Sequence, residues 1–345
     1  MARGKWSPEK AWRWYDRQAW PVGCNFLPST AVNDTEMWQA ETFDAETIDR
    51  ELGWAEGLGF NSVRVFLQYI VWEAGASGFI VRLERFLEIA DSHALTVMPI
   101  LFDDCAFSGK QPYIGRQDDP VPGVHNSGWV PSPGAKIAAD KTNWPRLEQY
   151  VTEVVGAFAR DKRVLIWDLY HEPGAGDKFD STELLTATFE WARAAEPTQP
   201  LTAGVFRGKL DGSATLEEIA EADERARIML DNSDVLSFHN YCNLEIVRGC
   251  IRTFKAAGRP VFCTEWMARG PMESLFQTHL PVWKAKKVGC YNWGLVAGRT
   301  QTYYPWGSPK DSTAPAVWHH DIVRKDGTPF DPAEVEAIRK AISQP

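Results

Sequence analysis

Eight short apolar runs rich in β-branched and aromatic residues recur along this 345-residue chain, each followed by a stretch with helical periodicity. That alternation narrows the possible folds more than any other feature. Parallel strands need long crossover connections, which helices supply, so the chain must build either a closed barrel or an open, doubly wound α/β sheet. The runs cover residues 22–27, 61–67, 95–102, 164–173, 200–206, 235–241, 260–266 and 288–296. Helical patterns occupy 44–58, 79–93, 144–160, 181–195, 216–230, 244–257, 272–285 and 332–343, with Asp44 as an N-cap and Gly59 as a stop for the first.

Eight repeats with no central break in composition predict one closed (β/α)8 TIM barrel, with residues 1–345 as a single domain. Two Gly/Pro-rich stretches, about 105–142 and 297–330, interrupt the rhythm. Long irregular segments inside a compact domain are usually functional, so both are expected to wall a cleft.

A hydrophobic content of 44% with 24% charged residues suits an ordinary buried core. The net charge of −9, with no local Lys/Arg run, argues against nucleic acid as a partner. No uninterrupted apolar stretch is long enough for a membrane span, so no membrane partner is expected. The N-terminus has no apolar signal-peptide core, which predicts a cytoplasmic protein, although a removed leader would leave the same sequence. The six cysteines lack zinc-like spacing and are expected as small buried thiols. Sixteen tryptophans fit either core filling or stacking on sugar rings.

In a closed barrel the C-terminal strand ends converge on one face, where chemistry is presented. The run Val164-Leu-Ile-Trp-Asp-Leu-Tyr-His-Glu-Pro173 ends in His171 and Glu172, and Pro260-Val-Phe-Cys-Thr-Glu-Trp266 places Glu265 at a second exit. Other strands contribute Arg64, His239, Tyr241 and Trp293, with His239 and Tyr241 on the same side of their strand. A single glutamate at a strand exit can be a solvated rim charge. Arg64 fits a structural ion pair with Asp168 as well as a site role, and Tyr241 fits simple packing equally well. As a set, however, two carboxylates with a cation, polar orienting groups and an aromatic wall are what retaining glycoside hydrolysis requires.

The strand ending Trp-Asp-Leu-Tyr-His-Glu-Pro resembles the Asn-Glu-Pro signature of clan A glycoside hydrolases, and Thr264-Glu265-Trp266 resembles their nucleophile strand. Arg64, Ser237-x-His239-x-Tyr241 and Trp293 fall where glycoside hydrolase family 5 keeps its arginine, histidine, tyrosine and tryptophan. The segments His125-Asn-Ser-Gly-Trp129 and Gly298-Arg-Thr-Gln301 to Trp306 are similar to bacterial cellulase- or xylanase-like members.

The resemblance implies Glu172 as acid/base, retaining its proton near neutral pH, and Glu265 as nucleophile. It implies Arg64, His125, His171, His239, Tyr241 and Trp293 as substrate-binding or orienting residues, a carbohydrate substrate, and no cofactor or metal. One departure stands out: His171 occupies the position of the family's asparagine, whose amide binds the sugar 2-hydroxyl. This predicts altered recognition there, through a non-standard sugar, a different linkage or a furanoside. The alternative of a different class is a non-catalytic carbohydrate-binding relic. No Gly-rich phosphate motif or paired metal-binding histidines point elsewhere.

Overall fold

The computed structural model describes residues 4–176 and 179–344. Among the described residues, nine strands form one wholly parallel sheet: β1 (Val22–Asn25), β2 (Ser62–Phe66), β3 (Thr96–Asp103), β4 (Trp167–His171), β5 (Leu201–Thr202), β6 (Gly204–Val205), β7 (Leu236–His239), β8 (Val261–Trp266) and β9 (Val288–Trp293). The sheet closes because β9 pairs with β1, while β5 and β6 are two halves of one run split at Ala203. β5 pairs with β4 and β6 pairs with β7. Eight runs therefore make a closed (β/α)8 barrel, as the alternation predicts. Nearly every strand residue is buried, which is why these strands read as continuous apolar runs.

The first long helix, Ala45–Leu58, starts at Asp44, whose side chain accepts from the Thr47 N–H. It ends at Gly59, whose φ of 93° is open to a residue without a Cβ. Some expectations need correction. The helix expected over 216–230 is two helices, Leu216–Ala222 and Glu224–Asn232, because Asp223 turns the chain and caps the second. The expected start at 272 moves to Phe276, and short helices Asp34–Trp38, Tyr69–Ala74 and Ala135–Ala139 lie where none was expected.

A further helix, Pro8–Tyr15, carries the aromatic N-terminal segment. Its residues Ala11 and Tyr15, with the preceding Trp6, pack on Met98, Val235 and Phe262, near the starts of β3, β7 and β8. This closes the barrel face opposite the strand exits and accounts for part of the tryptophan content. Trp38, Trp72, Trp129, Trp167, Trp266 and Trp283 are also fully buried, so core filling dominates.

Two features set the upper face. The strands end on Asn25, Phe66, Asp103, His171, His239 and Trp293, with Glu265 one residue before the end of β8. The long segments after β3 and β9 are also joined to each other. Asn126 N–H donates to the Thr300 carbonyl (2.8 Å), His125 N–H to Ser308 Oγ (3.1 Å), and Gly123 N–H to Gln301 Oε1 (3.0 Å). Fixed together in this way, the two segments wall one side of the strand exits.

Candidate active site

Glu265 lies at a register shift where His239 comes opposite it, a local irregularity of the sort that re-aims side chains beside functional sites. Its carboxylate is nearly enclosed and takes three donors. Arg64 Nη1 lies 2.9 Å from Oε1, His171 Nε2 lies 2.6 Å from the same oxygen, and Tyr241 Oη donates to Oε2 at 2.9 Å. Burial disfavours the charge, but His239, His171 and Arg64 outweigh it and hold the carboxyl well below the usual range. Arg64 also contacts Asp168 and Asn25 at 2.9 and 2.6 Å. The two readings of Arg64 are thus both met: it is a fully buried ion-pair partner of Asp168 and a neighbour of Glu265.

Glu172 follows β4 directly, in the left-handed region at φ 43°, a conformation that non-glycine residues hold mainly where surrounding structure enforces it. Pro173 and Gly174 follow, and Gly174 N–H is bound by Asp104. Glu172 Oε1 pairs with His239 Nδ1 at 2.8 Å, and the Cys105 thiol donates to Oε2 at 3.3 Å. With 20% of its side chain exposed against 5% for Glu265, Glu172 is the more open of the two. Burial pushes its carboxyl up, yet the hydrogen bond to His239 and the charge on His171 bring it below the ordinary carboxylate value. The expectation that Glu172 keeps its own proton near neutral pH is corrected accordingly: in the free site its hydrogen bond runs to an imidazole, not to an apolar wall. Gly204 makes room for that imidazole, since a Cβ there would lie 2.9 Å from His239 Nε2.

His171 stands at the strand exit as expected, but sequence reasoning did not anticipate its partners. Nδ1 faces Asp103 Oδ1 at 2.7 Å while Nε2 faces Glu265. Each ring nitrogen faces a carboxyl oxygen, and the ring can donate to both only as an imidazolium. Burial opposes the charge, but Glu265 and Asp103 together raise the His171 pKa well above its usual value. The ring is held between the edge of Phe66 (4.8 Å) and the near-parallel face of Trp293 (6.4 Å). Asp103 is fixed in turn by the Trp129 indole N–H (2.7 Å) and the Cys105 backbone N–H (2.8 Å).

These groups open onto a cleft of ≈ 270 Å³ lined by Glu172, Glu265, His171, Tyr241, Trp293 and residues of both long segments, including His125, Asn126, Trp306 and His320. His125 Nδ1–H donates to the Tyr304 carbonyl (2.7 Å), and burial lowers its pKa to about 4, so it is a neutral ring in the wall. All eight expected site residues belong to one region. Asp103, Asn25, Cys105, Asn126, Trp306 and His320 were missed. Asp103 carried the same signal as Glu172, an acid at a strand exit, and Asn126 stood inside the quoted His125–Trp129 segment.

The ligand atoms of His171, Glu172, His239 and Glu265 lie within 4.8 Å of one another, close enough to be weighed as a metal site. Each imidazole already faces a carboxylate, and Arg64 contacts Glu265 Oε1. A divalent cation would sit beside a guanidinium and displace an imidazolium, so these residues form a charge-balanced hydrogen-bond network in preference to a metal cage.

No protein-family model matches the sequence, and no curated protein matches it. Solved structures do match in shape. A GH5_18 protein from Streptomyces cattleya, solved with Manβ1-4GlcNAc, superposes with a TM-score of 0.61 at 14% identity, covering 94% of this chain and 82% of that one. An exo-β-1,4-mannosidase from Opitutaceae bacterium strain TAV5 gives 0.61 at 16%, covering 94% of this chain but 60% of the other. An endo-β-1,4-mannanase from Thermotoga petrophila gives 0.58 at 13%, covering 93% and 76%. The chain shares the barrel fold of these proteins.

Proposed function

We propose that the protein is a retaining glycoside hydrolase with Glu265 as nucleophile and Glu172 as acid/base. One observation carries this reading: two carboxylates with oxygens within 4.8 Å of each other sit at the strand exits of one barrel, Glu265 nearly enclosed among its donors and Glu172 the more open to the cleft. That spacing suits direct displacement, for which about 5–5.5 Å is typical, and leaves little room for the intervening water of an inverting enzyme. Glu265 is held ionised by Arg64, His171 and Tyr241, and Oε2, which accepts only from Tyr241, is its freer oxygen. It attacks the anomeric carbon as the bond to the leaving oxygen breaks, and that oxygen takes a proton from Glu172. Burial raises the Glu172 carboxyl, and a bound sugar covering its exposed part adds to that, favouring the protonated form that donates. Water then attacks the glycosyl ester, losing its proton to Glu172 and releasing Glu265.

The substrate class is a glycoside or short oligosaccharide. A cleft of ≈ 270 Å³, walled by two segments bonded to each other, has room for roughly one sugar ring and part of a second. The sugar ligand and glycosidase names of the fold neighbours support the same class. With both nitrogens of His171 engaged, the ring has no N–H group left for the reacting sugar, and the carboxamide usual at this position is absent. Recognition at that edge of the sugar is therefore altered, and a His171→Asn variant with unchanged substrate preference would count against this.

The test is a panel of pyranoside and furanoside aryl glycosides, β-mannosides included, with the product anomer followed by NMR and a fluoro-sugar inactivator mapped by mass spectrometry. Retention and an ester on Glu265 are expected. Inversion overturns the double displacement, while sugar binding with no turnover and no label would assign a carbohydrate-binding protein.

A further inference from the structure

We infer that Asn126, on the long segment after β3, is a substrate-binding residue that supplies the carboxamide missing from position 171. This rests on the glycoside hydrolase reading.

Three observations carry it. His171 has no donor left to offer, because Asp103 and Glu265 occupy Nδ1 and Nε2 at 2.7 and 2.6 Å. Asn126 lines the same cleft as Glu172 and Glu265, is 1% exposed, and has an Oδ1 with no hydrogen-bond partner. A buried amide oxygen left unpaired costs about as much as a lost hydrogen bond, so native proteins rarely keep one without a use for it. Finally, the residue is held in the left-handed region at φ 49°, with its N–H on the Thr300 carbonyl and its own carbonyl accepting from Trp129 N–H. Strained backbone of this sort is retained where its surroundings enforce it, often at ligand sites.

The turn ties Asn126 to the catalytic network. Trp129, whose backbone closes that turn, sends its indole N–H to Asp103, which in turn holds His171. An amide presents a donor and an acceptor side by side, matching a sugar hydroxyl, which is both. Asn126 and both carboxylates line one cleft of ≈ 270 Å³, the space of about one sugar ring and part of a second. The proposed contact is therefore with a hydroxyl of the ring that reacts.

Asn126→Gly removes the amide and accepts φ 49° without strain, whereas alanine there would confound the result. The experiment compares kcat/KM of the wild type and this variant on a hydroxylated aryl glycoside and on its monodeoxy analogues. Binding of the corresponding free sugars is read in parallel by thermal shift. The expected result is a fall of roughly ten- to a hundredfold on the parent substrate, with one deoxy analogue on which the variant and wild type are equal. An equal loss on every analogue, or no loss, overturns the contact. If the wild type binds sugars without hydrolysing them, the hydrolase reading fails, and the same comparison made on binding decides the contact. If it neither binds nor hydrolyses any sugar, both fall.

Discussion

His171→Asn removes the cation that lies between two buried carboxylates, and its consequence can be worked out from the structure. Asp103 is 1% exposed and would retain only the Trp129 indole and the Cys105 amide as donors. Glu265 would retain Arg64 and Tyr241. Removing one partner of a buried ion pair costs about 3–5 kcal/mol, of which a neutral asparagine donor recovers about 1. A net loss of about 2–4 kcal/mol corresponds to a Tm roughly 3–6 °C lower for a chain of 345 residues.

The sign with pH follows from the raised His171 pKa. The stabilisation from the imidazolium is complete below the unfolded value of about 6.5 and is lost as pH rises through the folded value, so the gap between wild type and variant should close on the alkaline side. Calorimetric unfolding of His171→Asn, Asp103→Asn and the double variant at pH 7 and at alkaline pH measures all of this. The two substitutions should be non-additive by at least about 1 kcal/mol, because the second removes the charge that the first leaves unpaired. A Tm within about 1 °C of wild type, or strict additivity, would refute the bridging imidazolium.

Tyr241→Phe takes one donor from Glu265 and should lower kcat/KM by roughly tenfold or more. Because the Glu265 pKa is depressed in the folded site and a lost donor raises it, the acid limb of the pH profile should move to higher pH. Prolonged dialysis against a chelator should leave turnover and Tm unchanged, since the four clustered ligand groups are satisfied by each other and by Arg64. Gly23→Ala places a Cβ 1.8 Å from the Ser62 carbonyl oxygen, on the backbone of the adjacent strand. It should cost more than about 3 kcal/mol, read as a large drop in Tm or loss of soluble barrel.

The barrel was legible because its cause is local. A strand buried on both faces is apolar along its length, a crossover helix shows a 3.6-residue period, and eight such pairs without a break leave a closed parallel sheet as the economical arrangement. Glu172 and Glu265 were legible for the same reason, as polar interruptions at the ends of apolar runs, and the histidine, tyrosine, arginine and tryptophan around them followed from their strand positions.

What the tertiary structure decided is how these residues share protons. Asp103, like Glu172, stood at a strand exit, but nothing in its neighbours in sequence says that it meets His171, 68 positions away, or that His171 spans the further 94 to Glu265. The same holds for Asn126, placed by a bond to Thr300 between two irregular segments. Periodicity encodes which face of an element is buried. Protonation states and hydrogen-bond partners depend on distances of a few ångströms between residues far apart in the chain, and those distances exist only once the barrel has closed.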